Sequence, residues 1–183
     1  PMGESLAHIV GYVGPVSDYD LDNMRERGEE IDPLLQIPRF QIGKTGVEEK
    51  LEVTLRGGAG TQRIEVNARG RVMRELERTE SKPGRDLTLT VDTELQKYIL
   101  ARMDGLSASA VVMDVQNGDL LAVASTPAFD PNLFVDGISS KNFNELLNNE
   151  YGPLRAKAVQ GTYPPASTFR MITILAALTA GAI

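Results

Sequence analysis

The residues best placed to do chemistry lie near the end of the chain, in Tyr163-Pro164-Pro165-Ala166-Ser167-Thr168-Phe169-Arg170. The apolar run Met171-Ile172-Thr173-Ile174-Leu175-Ala176-Ala177-Leu178 follows directly. The run reads as a buried helix that stops near Gly181, with a serine at its mouth. It is too short to cross a bilayer, which takes ~20 apolar residues. The two prolines predict an extended approach, because an X-Pro step disfavours the helical region for the residue before it. Ser167 and Thr168 then offer hydroxyls as N-caps. A serine at a helix N-terminus is well placed to be a nucleophile. The helix dipole favours negative charge there, and backbone N–H groups can form an oxyanion hole. Position i+3 shares the serine's helical face. A neutral lysine there could take the hydroxyl proton, but here the position holds Arg170. Taken alone, Ser-x-x-Arg is a common tetrapeptide, most often a cap beside a surface charge.

Other chemistries find little support. The chain has 183 residues and no cysteine, which excludes disulfides and thiolate metal sites and leaves the compartment open. One histidine, His8, cannot hold zinc alone, and it reads as structural. A net charge of −6 gives no reason to expect a nucleic-acid partner. No cofactor is expected. A composition of 42% hydrophobic and 24% charged residues is an ordinary globular balance. Nothing reads as a signal peptide or a membrane span.

The elements that must position the serine read as α+β. Residues 8–16 are β-branched and aromatic, which predicts a strand. Ser17 should cap a helix to about Arg27, with Asp18, Asp20 and Asp22 near its positive end. Residues 28–38 read as a loop. Thr45 and Glu48 have capping-box spacing, and Val47, Leu51 and Leu55 share a face, so one helix should run to about Arg56. Gly57-Gly58-Ala59-Gly60 breaks it. Residues 61–67 and 72–78 alternate about Ala68-Arg69-Gly70 and predict a hairpin with a solvated charged face. A turn at Ser81-Lys82-Pro83-Gly84 marks a boundary, giving domains 1–84 and 85–183.

Leu87, Leu89 and Val91 alternate with threonines and predict a strand. Asp92 or Thr93 should cap a helix over residues 94–103. Residues 110–115 and 120–125 flank Asn117-Gly118, the strongest short hairpin signal. Residues 126–132 read as a proline-broken loop. Ser139 or Ser140 should cap a helix containing Phe143, Leu146 and Leu147, and residues 148–158 read as loop.

The segment Gln160-Gly161-Thr162-Tyr163-Pro164-Pro165-Ala166-Ser167-Thr168-Phe169-Arg170 resembles the active-site stretch of class B penicillin-binding proteins, in particular those of cell-wall elongation. Further segments agree in order. His8-Ile9-Val10-Gly11-Tyr12-Val13-Gly14 is similar to the stretch after that family's head insertion. Gly43-Lys44-Thr45-Gly46-Val47-Glu48 and Val66-Asn67-Ala68-Arg69-Gly70-Arg71 are similar to its pedestal. Val112-Met113-Asp114-Val115-Gln116-Asn117-Gly118-Asp119 and Ser125-Thr126-Pro127-Ala128-Phe129-Asp130-Pro131-Asn132 are similar to the start of its transpeptidase domain. The resemblance covers nearly the whole chain. It implies a pedestal (dimerisation-type) lobe followed by the N-terminal part of a transpeptidase domain.

The resemblance implies Ser167 as nucleophile in a peptidoglycan D,D-transpeptidase that works through an acyl-enzyme. It assigns Arg170 to the position of the family's lysine. The implied ligands are the D-Ala-D-Ala stem peptide and β-lactams. The implied partners are a membrane glycosyltransferase and a cell-shape scaffold protein. The implied location is the periplasmic face of the bacterial inner membrane, the chain being an internal excerpt without the family's anchor. Three departures stand out. Arginine keeps its proton where lysine can lose it, so Arg170 is a poor base. Ala166 replaces a common glycine. The family's Ser-x-Asn and Lys-Thr-Gly motifs do not follow the serine. Lys44-Thr45-Gly46 spells the latter far upstream and is read as pedestal structure. The alternative reading is a non-catalytic fragment, a binding module for cell-wall partners. In either reading the last ~20 residues, whose apolar helix lacks its usual covering sheet, should find a substitute partner, a second copy or another chain, or else pack differently from the family.

Overall fold

The computed structural model describes residues 3–182. A 3-10 turn, Gly3–Leu6, runs into a single helical turn, α1 (Ala7–Val10). The strand expected over residues 8–16 is therefore present only in its second half, β1 (Val13–Pro15). Gly11, at φ +86°, ends the helix, and its backbone lies so close to Thr45 that a Cβ would stand 1.9 Å from that carbonyl oxygen. This tertiary contact overrides the β-propensity of Ile9 and Val10.

The Ser17 side chain caps α2 (Asp18–Glu26) in a full capping box with Asp20. A 3-10 turn at Pro33–Gln36 leads to β2 (Gln41–Gly43), which pairs antiparallel with β1, Gly14 opposite Ile42. The next helix comes in two pieces, α3 (Gly46–Lys50) and α4 (Glu52–Arg56), because Leu51 leaves the helical region at φ −115°, ψ 20°. Thr45 precedes α3 but makes no side-chain cap bond.

β3 (Thr61–Val66) and β4 (Val72–Thr79) form the expected hairpin, which is exposed along its whole length. Its charged face carries the cross-strand pairs Arg63–Glu77 and Arg74–Glu65. Residues 87–91 form no strand. They lie beside the second hairpin through isolated bonds, Thr90 Oγ1 donating to the Leu120 carbonyl and Asp92 N to that of Leu121.

Asp92 caps α5 (Thr93–Arg102) by accepting from the Glu94 and Leu95 amides. β5 (Ala108–Met113) and β6 (Leu120–Thr126) pair antiparallel about a turn in which Gly118 takes φ +83°. The Thr126–Pro127 peptide is cis. A 3-10 turn, Pro131–Phe134, precedes α6 (Ser140–Leu147), which Ser139 caps. The expected loop over residues 148–158 ends early, in the short helix α7 (Lys157–Gln160). The chain closes with a 3-10 turn, Ala166–Phe169, and α8 (Arg170–Thr179).

The core sits where the first segment meets the second hairpin. Ala7, Phe129 and Phe134 are buried there, with Tyr12, Ile138, Leu146 and Leu154 packed around them. Tyr12 stacks on Phe134 at 4.1 Å between ring centroids, and Phe129 meets both rings edge-on. The Gln96 amide is fully buried and spans the junction. Its Nε2 donates to the carbonyls of Ser5 and Val123, and its Oε1 accepts from Val123 N.

Candidate active site

Ser167 lies inside the 3-10 turn Ala166–Phe169, and α8 begins at Arg170, three residues on. That spacing turns the two side chains toward each other: Arg170 Nη2 donates to Ser167 Oγ at 3.4 Å. The spacing alone predicted this approach. Three local expectations are corrected. Pro165, which precedes no proline, is already helical at φ −71°, ψ −11° and leads into the turn. Neither Ser167 nor Thr168 caps α8; its N-cap is Phe169, with no side-chain bond, and Thr168 Oγ1 donates back to the Pro165 carbonyl. Two amides near the expected oxyanion position are taken within the turn, Thr168 N by Pro165 O and Arg170 N by Ser167 O. Ser167, Arg170 and all of α8 lie outside the core. The helix was expected to be buried, but it packs mainly against its own leading turn.

Ala166 stands where the resemblance places a common glycine. It takes φ +46°, the left-handed region that an L-residue enters at a cost of ~1–2 kcal/mol. The residue type alone gives no signal of this.

The segment that delivers Ser167 is pinned from several sides. His8 Nε2 donates to the Pro153 carbonyl at 2.8 Å. Lys157 is buried, with Nζ donating to the Gly152 carbonyl at 3.2 Å. Ala158 N donates to Ser125 Oγ at 3.1 Å. Burial pushes the Lys157 ammonium below its usual range, and Arg155 adds repulsion. Burial also lowers the His8 pKa, and Lys157 lowers it further; backbone bonds to Pro153 and Ser125 oppose the change. Sequence reading placed His8 as structural but missed Lys157, which looks like any surface lysine.

Lys44-Thr45-Gly46 stands in the pedestal, apart from the serine. Lys44 is ion-paired with Asp20. Burial alone would raise the Asp20 carboxyl, but hydrogen bonds from Lys44 and Ser17 outweigh it and hold it below its usual range. Gly46, at φ +64°, brings its backbone against Ile9, where a Cβ would come within 2.6 Å of the Ile9 carbonyl oxygen. The ion pair and the close backbone approach give the motif a structural explanation.

Among the described residues no cluster of acidic or histidine side chains could hold a metal ion. No helix among them is long and apolar enough to cross a membrane.

The serine–arginine pair does not define a class by itself; sequence kinship does, and the chain belongs to the penicillin-binding proteins, with their dimerisation domain followed by the start of their transpeptidase domain. Residues 1–89 match the penicillin-binding protein dimerisation domain, and residues 108–183 match the penicillin-binding protein transpeptidase domain. Over 183 residues the chain is 43% identical to the peptidoglycan D,D-transpeptidase MrdA of Escherichia coli, which covers 100% of the chain and 28% of that relative. Among solved structures it is similar to Pseudomonas aeruginosa PBP2 in complex with WCK 5153, with a TM-score of 0.81 and 36% identity, covering 100% of this chain and 35% of that one. It is also similar to Helicobacter pylori PBP2 in its complex with MreC, with a TM-score of 0.85 and 31% identity, covering 98% and 32%. The chain thus spans about a third or less of the relatives it matches.

Proposed function

We propose that the chain is the pedestal and nucleophile-bearing part of a peptidoglycan D,D-transpeptidase of cell-wall elongation, with Ser167 as the nucleophile. The observation that carries the reading is the Ser167–Arg170 pair at the mouth of α8, 3.4 Å apart, inside the residues matched to the transpeptidase domain. We divide the chain at residues 84 and 85. Gly84 lies so tightly against α4 there that a Cβ would meet the Leu55 carbonyl oxygen at 1.7 Å.

In this reading Ser167 Oγ attacks the carbonyl carbon of the penultimate D-Ala of a stem peptide. The C–N bond to the terminal D-Ala breaks, D-Ala leaves carrying a proton on its amine, and an ester to Ser167 remains. An amine of a second stem peptide then displaces Oγ, forming the cross-link. Arg170 donates to Oγ, so its role is to orient the hydroxyl and stabilise negative charge developing on it. A guanidinium does not accept the serine proton, so another group must be the base. β-Lactams, as mimics of the D-Ala-D-Ala end, would acylate the same oxygen.

The name of the Helicobacter complex supports a cell-shape scaffold as partner. The family resemblance supports a membrane glycosyltransferase as a second partner, and the periplasmic face of the inner membrane as the location. A second reading, a non-catalytic binding module, is favoured by one specific pair of facts: Arg170 replaces a base, and Ser167 is exposed to water.

Acylation by a fluorescent penicillin, read by intact mass on this chain and on Ser167→Ala, separates the two. An adduct lost in Ser167→Ala establishes the nucleophile. No adduct on this chain, followed by none on Arg170→Lys, overturns catalysis by this polypeptide and leaves the binding module.

A further inference from the structure

We propose that His8 is a positioning residue that couples the pedestal to the segment delivering Ser167, through its hydrogen bond to the Pro153 carbonyl. The role assigned to Ser167 rests on the reading above; the coupling itself does not.

The pedestal side of the link is backbone packed on backbone. α1 lies against both α3 and β6. Gly11 touches Thr45, and Gly46 touches the chain at Ile9 and Val10, so closely that neither glycine has room for a Cβ. A shift of α3 must therefore carry α1 with it. His8 sits in α1 and faces the other way. Its ring meets Phe129 edge-on at 5.4 Å, and Nε2 reaches Pro153, 145 residues along the chain. A carbonyl oxygen only accepts, so Nε2 carries the proton.

The far side of the link has little regular structure but is packed. Residues 148–161 contain only the single turn α7, which lies against β5 and β6, while Leu154 packs on the core and Ala158 N donates to Ser125 Oγ. Arg155 Nη2 closes locally on the Gln160 carbonyl, and Ala156 N on Gln160 Oε1. Leu154 adds apolar contact with the core that holds Ala7, and His8 supplies the directional bond from the pedestal to this segment. Pro153 lies on the path from α6 to Ser167, so moving this pin moves the approach to the nucleophile.

The charge that acts on the ring is the Lys157 ammonium of α7, and Phe129 presents an apolar edge. Among the described residues no carboxylate is ion-paired with His8. Burial, then Lys157, make the charged ring costly in the closed arrangement. The closed arrangement is therefore fully held above the ordinary histidine range, and it weakens as the pH falls below ~6.5 toward the lowered folded value.

The test is hydrogen–deuterium exchange on the whole chain, read by peptide mass, in wild type, His8→Phe and His8→Gln. Phenylalanine keeps a ring against Phe129 and removes the donor; glutamine restores a donor without a charge that titrates. In His8→Phe, peptides within 149–161 should lose about tenfold in protection, the size of one hydrogen bond, while α5 and the β5–β6 hairpin keep theirs. His8→Gln should recover most of the loss. After correction for intrinsic rates, wild-type protection of 149–161 should fall between about pH 7.5 and about pH 5.5, and that of His8→Gln should stay level. Unchanged protection in His8→Phe, or the same pH response in all three proteins, overturns the coupling. If His8→Phe does not fold, the pH response of wild type against His8→Gln decides alone. The penicillin adduct at Ser167 is a separate readout, so failure of the coupling and failure of the nucleophile assignment remain distinguishable.

Discussion

At the scale of single residues, Ala166 shares with Arg39 a left-handed backbone that its type disfavours, and it is the one beside the candidate nucleophile. It holds φ +46° immediately before Ser167, in a turn that no buried contact supports. Relief of the left-handed cost gains ~1–2 kcal/mol in Ala166→Gly, and the freer unfolded glycine returns ~0.5–1 kcal/mol. The relief wins, by a modest margin. Because α8 stands apart from the core, the gain is local and will not move the global unfolding midpoint. We expect about threefold more amide protection over residues 167–171 in Ala166→Gly, with the thermal midpoint unchanged. Lower protection in the glycine variant would show that Ala166 is comfortable in its place. Orientation of Ser167 should improve too, since the residue before it sets where its Cα–Cβ bond points.

At the scale of elements, the helix caps do most of what local sequence can do. Ser17 Oγ accepts from Asp20 N and donates to Asp20 Oδ2 at 2.5 Å, while Asp20 also takes Lys44 from the strand side. Ser17→Ala removes two of these bonds and leaves α2 with unfilled amides. The expected loss is about 1 kcal/mol, read as a lower urea midpoint at unchanged m-value. An unchanged midpoint would mean that Lys44–Asp20 alone fixes the start of α2. Such caps are why α2, α5 and α6 were legible in the sequence: Ser17, Asp92 and Ser139 each announce a start through a local bond. Both long hairpins were legible for a similar reason, since alternation and the Asn117-Gly118 turn are local signals. α1 was not, because Gly11 against Thr45 decides it across the fold. Residues 87–91 alternate like a strand, yet they meet the β5–β6 hairpin through isolated bonds only. At the candidate site the Ser167–Arg170 approach was legible from a spacing of three. The left-handed Ala166 and the pins from His8 and Lys157 were not, because each depends on what the chain meets in space.

At the scale of the whole molecule, the distribution of apolar surface decides behaviour. The core joins the first segment to the second hairpin around Phe129 and Phe134, and it does not extend to α8. Met171, Leu175 and Leu178 lie one turn apart along one stripe of that helix and are 69%, 63% and 55% exposed. Covering each such side chain is worth roughly 1.5–3 kcal/mol. Three of them on one stripe are enough to offset much of the entropy lost when two molecules associate, with Phe169 and Ile174 beside them as further contact. Charge does not prevent it: Arg170 starts α8, and the helix carries no other charged residue. A second copy presenting the same stripe is the simplest cover, because an isologous contact needs only one self-complementary patch. Sedimentation velocity should therefore show this chain associating as its concentration rises. Met171→Glu with Leu175→Glu should return it to a monomer, since dimerisation would bury four carboxylates, two from each copy, against one another. A wild-type chain that stays monomeric across that range would mean that α8 is stable in water as a lone amphipathic turn, which an isolated helix of ten residues is too short to achieve on propensity alone.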